Sequence, residues 1–262
     1  MHDPSKPLWV NEEPKDLHLF VGTPVHSEVS IHYAQCLLEI QKYFFKKDVP
    51  STFQLHKSSL VTQGRNLTLA AFLDSKASHL LFLDSDIYVD PETVDRMIQK
   101  DKDVICVAYP LKSFQWEKMY ECVKKDRVKN VDDLKSASST YPIRLLDSKE
   151  ISVKDEVAEI ESGPTGCMLI KRETIDKMIE HYSDLTIKQK TVINGELIEK
   201  IQYNFFDTYY DKENKNYMGE DYGFCRLWKN IGGTIHLLVN APIMHVGEHQ
   251  YQGQFSYELL KA

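Results

Sequence analysis

The feature that most constrains this chain is an alternation. From Leu17 to about residue 110, short apolar runs take turns with segments of helical periodicity. LHLFVGTP starts at Leu17, STFQLHKSSLV at Ser51, HLLFLD at His79 and DVICVAYP at Asp103. Between the first two, Ile31, Ala34, Leu38 and Phe45 recur at helical spacing. RNLTLAAFLDSKA, opening at Arg65, forms the next helix. A third takes Asp90 as N-cap and Pro91 in its first turn, with Val94, Met97 and Ile98 on its apolar face. Continuous apolar strands separated by amphipathic helices imply an α/β fold with a largely parallel sheet covered on both faces.

Beyond residue 112 the pattern loosens. Residues 113–155 are rich in Lys, Asp and Ser and show little periodicity, as expected of an insertion, a lid or an antiparallel excursion. Order returns with the strand GCMLIK from Gly166 and the helix RETIDKMIEHY from Arg172. An aromatic-rich mixed region spans Thr186 to Tyr217. The helix EDYGFCRLWKNIGG closes on glycines, and TIHLLVN is the last strand, followed by APIMHVGEHQYQG. Residues 1–16 are polar, contain three prolines and are expected to form a tail or loosely docked arm.

Composition excludes some classes. A formal charge of -7 rules out a generally basic nucleic-acid footprint. The 5 cysteines are scattered singly, with no CxxC pair, and suit buried small hydrophobes in a reducing compartment. No apolar signal core and no run of about 18 apolar residues is present, so the expectation is a cytoplasmic protein. With 262 residues the chain can bury a substantial core.

The chemistry is concentrated in a few places. HLLFLDSDIYVDP ends a buried strand in two acids, Asp84 and Asp86, separated by Ser85. In an open parallel sheet, ligands bind at the carboxyl ends of the strands. Two carboxylates there suit a hard divalent cation such as Mn²⁺ or Mg²⁺, which also binds phosphates. A plain acidic turn accounts for the triplet equally well. Gly22-Thr23-Pro24 ends the first strand, Arg65-Asn66 precedes the acid strand, and SGPTG (Ser162 to Gly166) is a glycine turn before another strand. Glu220 and Asp221 follow Gly219 at a helix start, where acids also favour the helix dipole. His245 follows the last strand. Taken singly, a turn, a solvated arginine, a helix cap and a structural histidine explain these residues at least as well. Aromatic side chains between Tyr203 and Tyr222, and Trp116 and Trp228, are expected mainly as packing, with an acceptor-sugar wall as the alternative.

In this order, GTP at 22–24, RN at 65–66, FLDSD at 82–86, SGPTG, GED at 219–221 and HVG at 245–247 resemble nucleotide-sugar-dependent glycosyltransferases of the GT-A fold. The resemblance covers about residues 17–247. It implies a Rossmann-like, mostly parallel central sheet flanked by helices, with an irregular, partly antiparallel acceptor side. It implies one domain over 17–262, its nucleotide-binding half at about 17–112 and its acceptor-side half at about 113–262. The DSD triplet corresponds to the family's DxD motif. By this resemblance Thr23, Pro24, Arg65 and Asn66 line the base and ribose pocket. Asp84, with Ser85, contacts the donor ribose or the metal's water shell. Asp86 and His245, with Asp84, hold Mn²⁺ or Mg²⁺ on the diphosphate. Asp221 is the base of an inverting transfer. Glu220 and Gly166 lie on the acceptor side, and the roles of the two adjacent acids are exchangeable. The donor is a UDP- or GDP-sugar and the acceptor a glycan or other hydroxyl. Residues 113–155 match no shared element.

Three other readings compete. An aspartate-nucleophile phosphohydrolase also carries DxD after a strand, but its motif usually continues Gly-Thr, where this chain has Ile87-Tyr88. A nucleotidyltransferase would show a basic, glycine-rich loop after the first strand, which GTPVHSE lacks. A binding module without turnover would keep the nucleotide and metal but transfer nothing.

Overall fold

The computed structural model describes residues 17–147, 150–193, 196–213 and 215–248, so the N-terminal arm expected at 1–16 lies outside the described residues. In chain order the elements are β1 (Leu19–Val25), α1 (Ile31–Lys46), β2 (Ser51–Lys57), α2 (Val61–Asp74), β3 (His79–Leu83), β4 (Ile87–Val89), α3 (Pro91–Gln99) and β5 (Val104–Cys106). Then follow α4 (Trp116–Lys124), α5 (Val131–Ala137), β6 (Val153–Lys154), β7 (Val157–Ile160), β8 (Cys167–Lys171) and α6 (Arg172–His181). Last come β9 (Thr186–Ile193), β10 (Glu196–Tyr203), β11 (Tyr209–Asp211), β12 (Asn216–Met218), α7 (Glu220–Asn230), β13 (Ile235–Leu238) and β14 (Ile243–His245).

Eight strands form one sheet in the order β2-β1-β3-β8-β5-β13-β7-β6. β1 pairs parallel with β2 and β3, and β5 parallel with β13. β8 and β7 run against their neighbours. The central sheet is thus mostly parallel in strand direction, in a mixed α/β architecture consistent with a GT-A-like fold. β8 and β13, from the second half of the chain, flank β5, so the sheet is completed by strands distant in sequence.

The runs that form β1, β3 and β5 bury both of their faces, whereas β2, at the edge of the sheet, has no buried residue. Phe20, Leu80 and Phe82 point into a core with Leu69 and Phe72 of α2, Ile175 and Met178 of α6, and Phe224 and Trp228 of α7. The alternate residues Leu19, Val21, Leu81 and Leu83 pack on Tyr33, Ile40 and Phe44 of α1 and on Val94 and Met97 of α3. Such side chains contribute about 1.5–3 kcal/mol each on full burial. This two-sided burial is why the strands lack an apolar–polar alternation.

Some local expectations change. α2 begins at Val61, so Arg65 and Asn66 lie in its second turn rather than opening it. Asp90 is the N-cap of α3 and Pro91 is in its first turn, as expected, although the Asp90 side chain makes no capping bond. Residues 113–155 contain two short helices, α4 and α5, with no buried residues. α7 closes as its glycines suggest, with Gly232 at φ +88 and its N–H on the Lys229 carbonyl at 2.9 Å. Cys36, Cys106, Cys167 and Cys225 are buried free thiols, and Cys122 is half-buried. No helix among the described residues is long and apolar enough to cross a membrane.

Candidate functional site

Asp84 leaves the end of β3, where its backbone N–H donates to the Gly166 carbonyl at 2.9 Å. Its carboxylate is gripped by Arg65, whose Nη1 and Nη2 donate to Oδ1 and Oδ2 at 2.6 and 3.1 Å. A bidentate fork of this kind is both strong and directional. Arg65 is buried, with its side chain only 3% exposed. Its Nε lies 3.6 Å from Glu220 Oε1 and has no closer hydrogen-bond partner. Burial opposes the charge on the guanidinium, but the Asp84 carboxylate outweighs it and raises its pKa. The guanidinium therefore ties the end of β3 to the start of α7, joining the two acidic motifs.

Asp86 sits two residues on, in a different setting. Lys112 Nζ donates to its Oδ2 at 2.5 Å. His245 Nε2 stands 3.5 Å from the same oxygen. The pairing of β14 with β4, His245 opposite Ile87, delivers the histidine. The Val246 N–H closes the corner on the Asp86 carbonyl at 2.8 Å. Burial works against ionisation of Asp86, but hydrogen bonds from His245 and Lys112 prevail and hold its carboxyl down at about 2.

His245 Nδ1 lies 2.8 Å from the Pro110 carbonyl, which only accepts, so Nδ1 carries the hydrogen. Nε2 then faces the Asp86 carboxylate, donating to it when the ring is protonated and offering a lone pair when the ring is neutral. In the neutral form the pair offers two donor atoms to a cation, beside the Lys112 ammonium that already contacts the same oxygen, and a backbone carbonyl on the far nitrogen is one of the common anchors of a metal-binding imidazole. Asp86 and His245 thus fit a divalent ion, whose ~2.0–2.1 Å bonds would span their gap. Asp84, expected beside them, has one lone pair of each oxygen taken by Arg65. Among the described residues, no group of three His, Cys, Asp or Glu side chains could hold a metal.

Glu220 and Asp221 begin α7, which has Gly219 at its N-cap. Their environments separate them. Glu220 approaches Arg65. Burial first, and the neighbouring Glu220 charge second, push the Asp221 carboxyl up to about 6. The Tyr222 N–H donates to its Oδ1 at 2.8 Å.

Tyr109 and Lys112 belong to the site although sequence reasoning passed over them. Both follow β5 at the carboxyl edge of the sheet, the position where the strand-end rule points to ligand-binding residues, so YPLK carried a usable signal. The Tyr109 ring meets His245 edge-on at 4.9 Å. Burial, then the Asp84 charge, raises its phenol well above the ordinary range. Gly166 makes room for Tyr109 beside Asp84. A Cβ there would stand 2.5 Å from the Tyr109 ring and 2.8 Å from Asp84 Oδ2.

Other sequence candidates are occupied by the fold. Thr23 is fully buried, its hydroxyl 2.5 Å from that of Tyr33. Pro24 packs beside Gly64. Asn66 donates to Asn204 Oδ1 and the Phe206 carbonyl and accepts from the Phe206 N–H. The Ser85 carbonyl accepts from the Ser30 N–H at 2.8 Å, joining the DSD turn to the start of α1. Phe205, Phe206 and Trp228 are core residues, whereas Trp116, Tyr210 and Tyr217 are exposed. Two clefts, of about 470 and 610 Å³, contain none of the acidic-site residues and include Asp103 or Lys102, at the opposite end of β5.

No protein-family model matches the chain, and no curated protein matches it. Among solved structures, A197 from STIV is similar over 88% of this chain and 87% of its own, at 18% identity and a TM-score of 0.48. A glycosyltransferase involved in the glycosylation of the major capsid of PBCV-1 is similar over 61% of this chain and 62% of its own, at 8% identity and a TM-score of 0.32. With both scores below 0.5, the functional reading rests on the site residues.

Proposed function

We propose that this protein is a metal-dependent glycosyltransferase, moving a sugar, a hexose by preference, from a UDP- or GDP-sugar to a glycan or other hydroxyl acceptor with inversion. One observation carries the reading: Arg65 bridges Asp84 and Glu220, bringing the DSD and GED motifs to one site beside the Asp86–His245 pair. A Mn²⁺ or Mg²⁺ ion held by Asp86 and His245 would supply Lewis-acid neutralisation of the departing diphosphate.

The remaining work falls to this chain's own groups. Asp221 accepts the proton of the acceptor hydroxyl as that oxygen attacks the anomeric carbon. A carboxylate held near 6 is a stronger base than an ordinary one, yet is ionised at neutral pH. Glu220, steadied by Arg65, lies beside it on the acceptor side with Gly166. Asp84, fixed by Arg65, presents a preset edge to the donor. Thr23, Pro24, Asn66 and Ser85 shape the pocket walls by holding β1, α2 and the DSD turn in place. The phosphohydrolase alternative needs Asp84 as a free nucleophile, and both its oxygens accept from a buried arginine.

The test is release of nucleoside diphosphate from a panel of UDP- and GDP-sugars, with Mn²⁺ and mixed hydroxyl acceptors. Asp86→Ala is expected to abolish metal-dependent nucleotide binding. Asp221→Asn is expected to bind nucleotide normally and transfer nothing. Normal transfer by Asp221→Asn would remove that residue as the base. Absence of any metal-dependent nucleotide binding by the unaltered protein would sink the whole reading.

A further inference from the structure

Arg65 and Lys112 each pair with one acid of the DSD triplet, but in opposite ways. The Arg65 side chain is 3% exposed, so its pair with Asp84 is built in. Lys112 and Asp86 are 39% and 34% exposed, so their pair lies open to exchange. Lys112 Nζ contacts Asp86 Oδ2, the same oxygen that faces His245 Nε2. The ammonium group thus already neutralises the oxygen that a divalent ion would bind.

Its position is prepared by the backbone. The Leu111 N–H donates to the Thr140 carbonyl at 2.8 Å, holding the loop against the 113–155 segment. The Lys112 stem crosses Gly247, where a Cβ would stand 2.6 Å from its Cδ. The glycine of HVG leaves room for this lysine, while the histidine of the same motif faces the carboxylate.

We propose that Lys112 is a tethered counter-cation that competes with the divalent ion for Asp86 and must leave the carboxylate when the ion binds. This rests on the reading of Asp86 and His245 as the cation site. A lysine can do this because its ammonium is a compact point charge on a flexible stem, free to swing into water.

The experiment is equilibrium binding of Mn²⁺ alone, without nucleotide, by calorimetry and by loss of the free-ion electron paramagnetic resonance signal. The unaltered protein is compared with Lys112→Met, Lys112→Arg and Asp86→Asn. Methionine keeps the apolar stem over Gly247 and removes the charge. Lys112→Met is expected to bind Mn²⁺ about two- to fivefold more tightly, the scale of a half-exposed ion pair. Lys112→Arg, which keeps a cation at Asp86, is expected to bind like the unaltered protein. Equal or weaker binding by Lys112→Met, with binding still lost in Asp86→Asn, overturns the competition and leaves the cation site standing. No binding by either the unaltered protein or Lys112→Met overturns the cation site and the competition with it.

Discussion

Asp221 and Glu220 are adjacent acids at a helix start, and sequence cannot separate their roles. Their surroundings do. Burial and the Glu220 charge raise the Asp221 carboxyl from 3.8 to about 6. Its base form appears only as pH passes 6, so transfer is expected to rise through pH 6 and level off above it in a pH–rate profile. An unshifted carboxylate would give a profile already flat there. The same shift bears on stability. The folded state binds this proton more tightly than the unfolded chain, so the group's contribution is fully present below about 3.8 and is lost as pH rises through 6. Asp221→Asn is therefore expected to stabilise the fold by about 1–3 kcal/mol at pH 8 and by roughly nothing at pH 4, read from urea denaturation. Arg65 gives the opposite case. Arg65→Ala strands Asp84 and Glu220 near the core and is expected to cost about 3–5 kcal/mol at neutral pH. A cost below about 1 kcal/mol in urea denaturation would show that the bridge contributes little.

Among the elements, α2 is latched to the segment after β10 by Asn66, besides its apolar packing. Asn66 uses its amide on Asn204 and on both backbone groups of Phe206. Asn66→Ala leaves the Phe206 N–H buried without a partner, and is expected to cost about 2–3 kcal/mol. Hydrogen exchange at the Phe206 amide should quicken more than exchange in β1. Unchanged protection there would mean that the latch is redundant. α1, α2, α3, α6 and α7 and the strands β1, β2, β3, β5, β8 and β13 were legible in sequence because their periodicity is local, whereas α4 and α5 in 113–155 and the paired strands β9 and β10 were not. α2 starts four residues before the expected Arg65, running through Gly64, which packs beside Pro24. β4 and β14 were illegible: each has 3 residues, too few to show a period, and their pairing joins Ile87 to His245 across the chain. That short ladder is what brings the histidine to Asp86.

At the scale of the whole molecule, the site is assembled from the carboxyl ends of β3 and β5, the turn before β8, the start of α7 and β14. A ligand touching these parts stabilises all of them together. Mn²⁺ with the cognate nucleoside diphosphate, at about 100 times its dissociation constant, is expected to add roughly 2.7 kcal/mol. For a chain of this length that raises Tm by about 5–10 °C, as one cooperative transition in calorimetry. Nucleotide without metal is expected to shift it far less, and an equal shift would remove the metal from donor binding. Sequence alone determined the α/β class, the two-sided burial of the sheet and the acids at its carboxyl edge, because strand burial and helix periodicity are written in neighbouring residues. Only tertiary structure decided that Asp84 belongs to Arg65, that Asp86 stands between Lys112 and His245, and that burial beside Glu220 raises the Asp221 carboxyl. Those outcomes depend on which charges meet across long stretches of chain and on how much water reaches them, and neither quantity is local to the sequence.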